Sequence, residues 1–243
     1  MKIGILCTGR APASLRSLHG DYGSMFRRLL AGNGLELQEW DVENRHFPTT
    51  VHAADGWLIT GSRHGVYEDH PFIPPLEDFI LAARQADVVM VGVCFGHQVM
   101  AQALGGRVDK FAGGWAVGPQ QYSFAGERLT LNAWHQDQVT EPPPGAQCVA
   151  GNDFCRYAAL VYGHWGFSVQ PHPEFSRSFM REMLTRRGPE LVPGARLRTA
   201  IARLDAPLDQ QRLAGLMIRF FRRRHLCLGG ILQAVPTPEV SRR

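Results

Sequence analysis

At 243 residues, with 44% hydrophobic and 20% charged residues, the chain is long enough for one α/β domain to bury a sizeable core. Its formal charge of +4 reflects mainly the arginines at 222, 223, 224, 242 and 243, and no aromatic-interleaved basic stripe occurs elsewhere, which argues against nucleic-acid binding. No apolar stretch reaches the ~18 residues that a bilayer span needs, so no membrane partner is expected either. The first residues run straight into a strand pattern with no secretory leader, and the five scattered cysteines fit reduced thiols better than a disulfide framework. A cytoplasmic location is the expectation.

Taken in chain order, apolar runs at residues 2–6, 56–60 and 88–93 read as strands of a parallel sheet, with a marginal fourth at 35–40. Between them, residues 22–30 set Met25, Phe26, Leu29 and Leu30 on one helical face and stop near Gly32 and Gly34. Residues 75–86 open on a proline and align Leu76, Phe79, Ile80 and Ala83. This β-α-β-β-α-β order predicts an α/β fold, a mostly parallel central sheet flanked by helices on both faces. After Gly106, shorter strand patterns at 117–124, 129–134, 156–163 and 166–170, with a hairpin closed at 163–166, predict added antiparallel strands. From Asp209, the spacing of Leu213, Leu216, Met217, Phe220 and Phe221 predicts an amphipathic C-terminal helix with arginines in its last turn. One domain is expected over residues 1–228, with a helical extension from about 177 and a frayed tail at 229–243.

The chemistry concentrates where the 88–93 strand runs into Gly92-Val93-Cys94-Phe95-Gly96, a strand-turn-helix pattern of the nucleophile-elbow kind. Such a turn thrusts one side chain into a pocket on a strained backbone, and both glycines are needed because a Cβ there would clash. The N-terminus of the following helix would favour the thiolate, the reactive form. A cysteine nucleophile needs a base, and Gln170-Pro171-His172-Pro173-Glu174-Phe175 offers one. Prolines on both sides of His172 keep it out of a helix, and Glu174, two residues on in an extended segment, can accept the second ring N–H. His97 follows Cys94 too closely along the helix to face it and is set aside as the base.

These motifs, over roughly residues 2–179, resemble class I glutamine amidotransferases, in particular stand-alone relatives of the glutaminase domain of GMP synthase. Residues 60–69, Thr-Gly-Ser-Arg-His-Gly-Val-Tyr-Glu-Asp, are similar to the Gly-rich loop of that family, and residues 134–139, Trp-His-Gln-Asp-Gln-Val, to its His-x-Asp segment. The resemblance implies a flavodoxin-like fold and a Cys94-His172-Glu174 triad, with the oxyanion held by backbone N–H groups of Phe95 and Gly61. It also implies that Gln98 helps to bind the glutamyl group, and that His135 and Asp137 position the loop or meet a partner. The family commonly has Gly-Gly-Pro where this chain has Gly61-Ser62-Arg63, which makes Ser62, Arg63 and His64 candidates for substrate specificity.

No metal or cofactor is expected. The chain has no Gly-rich ATP-binding loop and too few residues after Phe179 for a synthetase domain, so ammonia would have to reach a separate synthetase. The preferred expectation is a self-sufficient hydrolase of glutamine or γ-glutamyl amides and peptides. The alternatives are an ammonia-donating subunit and a catalytically silent binding module. The sequence carries no signal for oligomeric state.

Overall fold

The computed structural model describes residues 1–228 and 231–232. Five parallel strands form the first part of a nine-stranded sheet: β1 (Lys2–Leu6), β2 (Glu36–Trp40), β3 (Gly56–Ile59), β4 (Val89–Val93) and β11 (Gly166–Val169). Four antiparallel strands extend it: β6 (Ala116–Phe124), β7 (Glu127–His135), β9 (Gln147–Gly151) and β10 (Ala159–Tyr162). The strand order is β2-β1-β3-β4-β11-β10-β9-β6-β7. A separate two-stranded sheet pairs β5 (Arg107–Lys110) with β8 (Asp137–Glu141). This is the α/β architecture expected from the sequence, including the hairpin closed at residues 163–166.

Side-chain alternation along the parallel strands sorts the apolar residues into two cores. Ile3, Ile5, Leu58, Val89, Val91 and Val93 face one side, where α2 (Tyr22–Leu29) and α8 (Gln210–Arg223) cover them. Leu6, Trp57, Ile59 and Met90 face the other, under α3 (Ile73–Gln85) and α4 (Phe95–Ala103). The strand at 35–40 is real but sits at the sheet edge, which explains its weak apolar signal.

A third core lies over the antiparallel side. It joins α1 (Ala13–His19) to α5 (Arg177–Glu182), a π-helical turn (Met183–Arg187), α6 (Gly188–Leu191) and α7 (Gly194–Ala202). The extension expected from residue 177 is therefore a folded cap with Phe179, Met180, Met183 and Leu184 buried. α1 has no counterpart in the sequence reading, because only Leu15 of its seven residues is buried and no repeating face forms. The strand expected at 156–163 begins at Ala159, and α3 starts two residues ahead of Pro75. The tail expected at 229–243 lies outside the described residues, apart from Ile231–Leu232, which pairs with Cys227–Leu228. Among the described residues no helix is long and apolar enough to cross a membrane, and Cys7, Cys94, Cys148 and Cys155 are free thiols.

α8 holds the parallel sheet by burying one stripe, with Phe220 against Phe167 of β11 at a ring separation of 5.7 Å. Both rings are fully buried. Phe220→Ala is expected to cost roughly 3–5 kcal/mol, the usual range for emptying an aromatic site in a core. Urea unfolding checks this, and a loss below about 1 kcal/mol would show that α8 does not brace the sheet.

Candidate active site

Strand β4 delivers Cys94 at a sharp reversal, with the cysteine at a positive φ of 53° and ψ −104°. The chain can make this turn because residues 92 and 96 carry no side chains. A Cβ on Gly92 would lie 2.6 Å from the carbonyl carbon of Gly96, and one on Gly96 would lie 2.5 Å from the carbonyl oxygen of Ile59. Hydrogen bonds fix the turn from both sides: Cys94 N–H donates to Val169 O at 2.9 Å, and Gly96 N–H donates to Thr60 O at 3.2 Å. Phe95 opens α4, so its N–H is one of the helix-terminal donors that have no intrahelical acceptor.

The loop after β3 is held by a pair of buried threonines. Thr8 N–H donates to Thr60 Oγ1 at 3.1 Å, and Thr8 Oγ1 lies 3.0 Å from Thr60 O and 3.2 Å from Gly61 O. This places Gly61 against the two groups the sequence singled out. The position a Cβ on Gly61 would occupy is 3.0 Å from His172 Cε1 and 3.7 Å from Cys94 Cβ. Imidazole and cysteine thus border the same point, where Gly61 carries no side chain to separate them.

His172 leaves the end of β11 on a loop tied to the antiparallel side. Its N–H donates to Asn132 O at 2.8 Å, Asn132 Nδ2 donates to Phe175 O at 2.8 Å, and Gln210 Nε2 donates to Pro173 O and Phe175 O. The ring stacks on Phe175 with centroids 3.9 Å apart and planes 4° from parallel. Nδ1 lies 2.7 Å from Glu174 Oε1, with both side chains almost wholly buried. An Nδ1–H that donates a hydrogen bond to the carboxylate fixes the orientation of the ring and leaves Nε2 on its other edge.

Burial by itself would depress the imidazole's pKa, but the neighbouring Cys94 and the hydrogen-bonded Glu174 carboxylate outweigh it, and the value is raised from 6.5 to about 10. The other histidine near the elbow, His97, is fully buried. It lies 2.7 Å from Ser168 Oγ through Nδ1 and donates from Nε2 to Tyr157 O at 2.9 Å. Burial pushes its pKa down to about 3, so it is a neutral core group.

Cys94 opens onto a cavity of about 940 Å³ that Ser62, Arg63, His64, Gln98 and His135 also line. Gln98 donates to Asp137 O at 2.8 Å and Gln170 Oε1 at 3.1 Å, so its amide is fixed in orientation. Arg63 is the outlier, 76% exposed and 3.7 Å from Glu43, a rim residue. His135 is buried near His172, with its pKa pushed down to about 3 by burial and by the charge of His172, and it is neutral. Asp137 borders the cavity, its pKa raised by burial. Sequence reading missed the apolar wall formed by Trp115 and Trp134, whose rings are 5.7 Å apart, and by Met183 and Leu191 of the cap. It also missed the anchors Thr8, Thr60, Asn132 and Gln210.

Residues 19–188 match the family model described as glutamine amidotransferase class-I. A glutamine amidotransferase-like protein of Schizosaccharomyces pombe is 26% identical over 90% of this chain and 97% of its own length. Gamma-glutamyl peptidase 3 of Arabidopsis thaliana is 26% identical over 68% of this chain and 74% of its own. The glutamine-hydrolyzing GMP synthase of Vibrio vulnificus is 32% identical over 65% of this chain, but only 32% of its own length takes part. Among solved structures, a glutamine amidotransferase of Methylobacillus flagellatus superposes with a TM-score of 0.72 at 20% identity, covering 92% of this chain and 94% of that one.

Two outcomes follow from the geometry. Gly96→Ala should destabilise the fold by roughly 1–3 kcal/mol, the range for overpacking, and should slow alkylation of Cys94 measured by mass spectrometry. Alkylation at the parental rate would mean that the elbow tolerates a side chain there. The folded-state pKa of His172 lies above its ordinary 6.5, so the stability its imidazolium contributes is whole below about pH 6.5 and fades as the pH climbs towards about 10. In NMR titrations the ring should change charge near 10, and well lower in Cys94→Ala, where burial persists without the sulfur. A parental value near 6.5 would contradict the pairing.

Proposed function

The chain belongs to the class I glutamine amidotransferase family, and we propose that it is a cysteine-dependent hydrolase of γ-glutamyl amides and peptides, with Cys94, His172 and Glu174 as its triad. The observation that supports this reading is the buried imidazole, 2.7 Å from Glu174 and bordering Gly61 together with Cys94. In this scheme the Cys94 thiolate attacks the γ-carbonyl carbon of the glutamyl group, and the oxyanion takes hydrogen bonds from the N–H groups of Phe95 and Gly61. Such donors contribute roughly 3–4 kcal/mol to a transition state of this kind. The imidazolium of His172 then gives its proton to the departing amine as the C–N bond breaks and a thioester remains. A water adds to the thioester, His172 takes its proton, and glutamate leaves as the thiolate is restored. Glu174 keeps the ring oriented and balances its charge through both halves.

The size and lining of the cavity favour γ-glutamyl compounds larger than glutamine. About 940 Å³ lies in the range of sites for drug-sized ligands, far beyond one amino acid. Trp115, Trp134, Met183 and Leu191 offer apolar surface that an amine leaving group can cover and that ammonia cannot. Ser62, Gln98 and His135 supply the polar contacts proposed for the glutamyl part, with Arg63 and His64 at the rim. A second reading, an ammonia-donating subunit of a separate synthetase, draws on the 32% identity to part of GMP synthase.

A panel of γ-glutamyl amides and peptides, with glutamate and amine release both measured, separates the readings. A peptide or bulky amide with kcat/KM above that of glutamine is the expected result, while glutamine as the best substrate would favour the ammonia donor. Cys94→Ala should stay folded and lose glutamate release. His172→Ala should lower kcat by about 10⁴-fold, and Glu174→Gln by less. Parental protein inert towards every γ-glutamyl compound would overturn the hydrolase reading and leave a silent binding module.

A further inference from the structure

The loop that carries Gly61 goes on to build a second cluster that no step at Cys94 requires. Residues 64–70 read His-Gly-Val-Tyr-Glu-Asp-His. The backbone folds this stretch back on itself, with Glu68 N–H donating to Gly65 O at 3.1 Å and His70 N–H to Glu68 O at 2.9 Å. Three potential ligands converge as a result. His70 Nε2 lies 2.9 Å and His64 Nδ1 3.9 Å from the same oxygen, Glu68 Oε2, and one ligand atom from each residue falls within 4.8 Å of the other two. The two imidazole rings are 3.9 Å apart between centroids and tilted by 52°.

The fourth member decides what this cluster wants. His64 Nε2 lies 3.1 Å from Glu43 Oε1, from the short turn Val42–Asn44 across the cavity mouth. Nδ1 on the other side of the same ring lies 3.9 Å from Glu68 Oε2, so both ring nitrogens of His64 face carboxylates. A carboxylate that receives the remote N–H of a ligating imidazole is also the usual second layer of a metal site, where it fixes the tautomer and raises the basicity of the ring.

We propose that His64, Glu68 and His70 bind a divalent transition metal ion of zinc-like preference, with Glu43 orienting His64. Two imidazoles and one carboxylate suit zinc and its neighbours and disfavour magnesium and calcium, which take oxygen. Tetrahedral bonds of ~2.0–2.1 Å set ligand atoms roughly 3.3 Å apart, and the observed 2.9 Å and 3.9 Å straddle that value. Three protein ligands leave one coordination position open. His64 and Glu68 also line the large cavity, so a bound ion would clamp the loop running from Gly61 and add positive charge at the substrate's entrance. The site stands independently of the hydrolase reading, since it uses none of the triad.

The test is a titration of Zn²⁺ into the metal-stripped full chain against a chromophoric chelator, in a Cys94→Ala background so that this thiol cannot compete. One equivalent should bind, with affinity lowered by about tenfold or more in His70→Ala and in Glu68→Gln, and by about 10–100-fold in Glu43→Gln. Circular dichroism establishes that each variant is folded, and Co²⁺ in place of zinc should show ligand-field absorption without a thiolate charge-transfer band. The proposal fails if no stoichiometric ion binds, if His70→Ala and Glu68→Gln bind as tightly as their parent, or if the cobalt spectrum carries a thiolate band.

Discussion

The reversal of the chain at Cys94 is the constraint on which the rest depends. A non-glycine residue held at φ 53° costs on the order of 1–3 kcal/mol, and it persists only where the surroundings over-determine it. Here they do, because Cys94 N–H is bound to β11 through Val169 and Gly96 N–H to the end of β3 through Thr60. Both strands neighbour β4 in the sheet, so the sulfur inherits the rigidity of a strand whose every residue is buried. The glycines at 92 and 96 belong to the same constraint, since each leaves room for backbone that a side chain would displace.

The imidazole comes from the other half of the sheet. β11 is parallel to β4 and antiparallel to β10, which makes it the seam between the two architectures, and the His172 loop emerges from its end. Asn132 and Gln210 then fasten that loop to β7 and to the start of α8. So tight a hold has an electrostatic counterpart. Burying an imidazole opposes its charge, and Cys94 and Glu174 together reverse that preference. Either partner alone would leave less compensation for the same desolvation.

What could be read in the sequence follows from how local each signal is. The elbow was legible because strand, glycines and helix are contiguous, and the Pro-His-Pro-Glu segment because its prolines and spacing act within five residues. The parallel strands were legible as unbroken apolar runs buried on both faces. By contrast, the contacts of Asn132 and Gln210 with Phe175 span 43 and 35 residues and end on a backbone carbonyl, which leaves no mark in composition. Thr8 and Thr60 are 52 apart and read alone as ordinary strand-end residues. β5 and β8 escaped because each mixes charged residues with few buried ones. His64 stood out in the sequence, but Glu68 and His70, four and six residues on, lie in a stretch that is neither helix nor strand, so their grouping exists only once the loop turns back.

The cap over the antiparallel strands ties the shape of the cavity to the ring that faces Cys94. Met183 and Leu191 reach the cavity from this cap, and the family match ends at residue 188, so part of the wall lies outside the shared segment. That separation would suggest a wall free to change without touching the chemistry, but the packing says otherwise. Phe179, on the first helix of the cap, meets Phe175 at 4.6 Å, and Phe175 in turn lies flat against His172 at 3.9 Å. Met183 and Leu184 share the same buried cluster with both phenylalanines. Close-packed interiors pass on displacement instead of absorbing it. A change of volume in the cap therefore reaches the imidazole through two aromatic contacts, so the residues that shape the cavity and the residues that orient the ring form one mechanical unit.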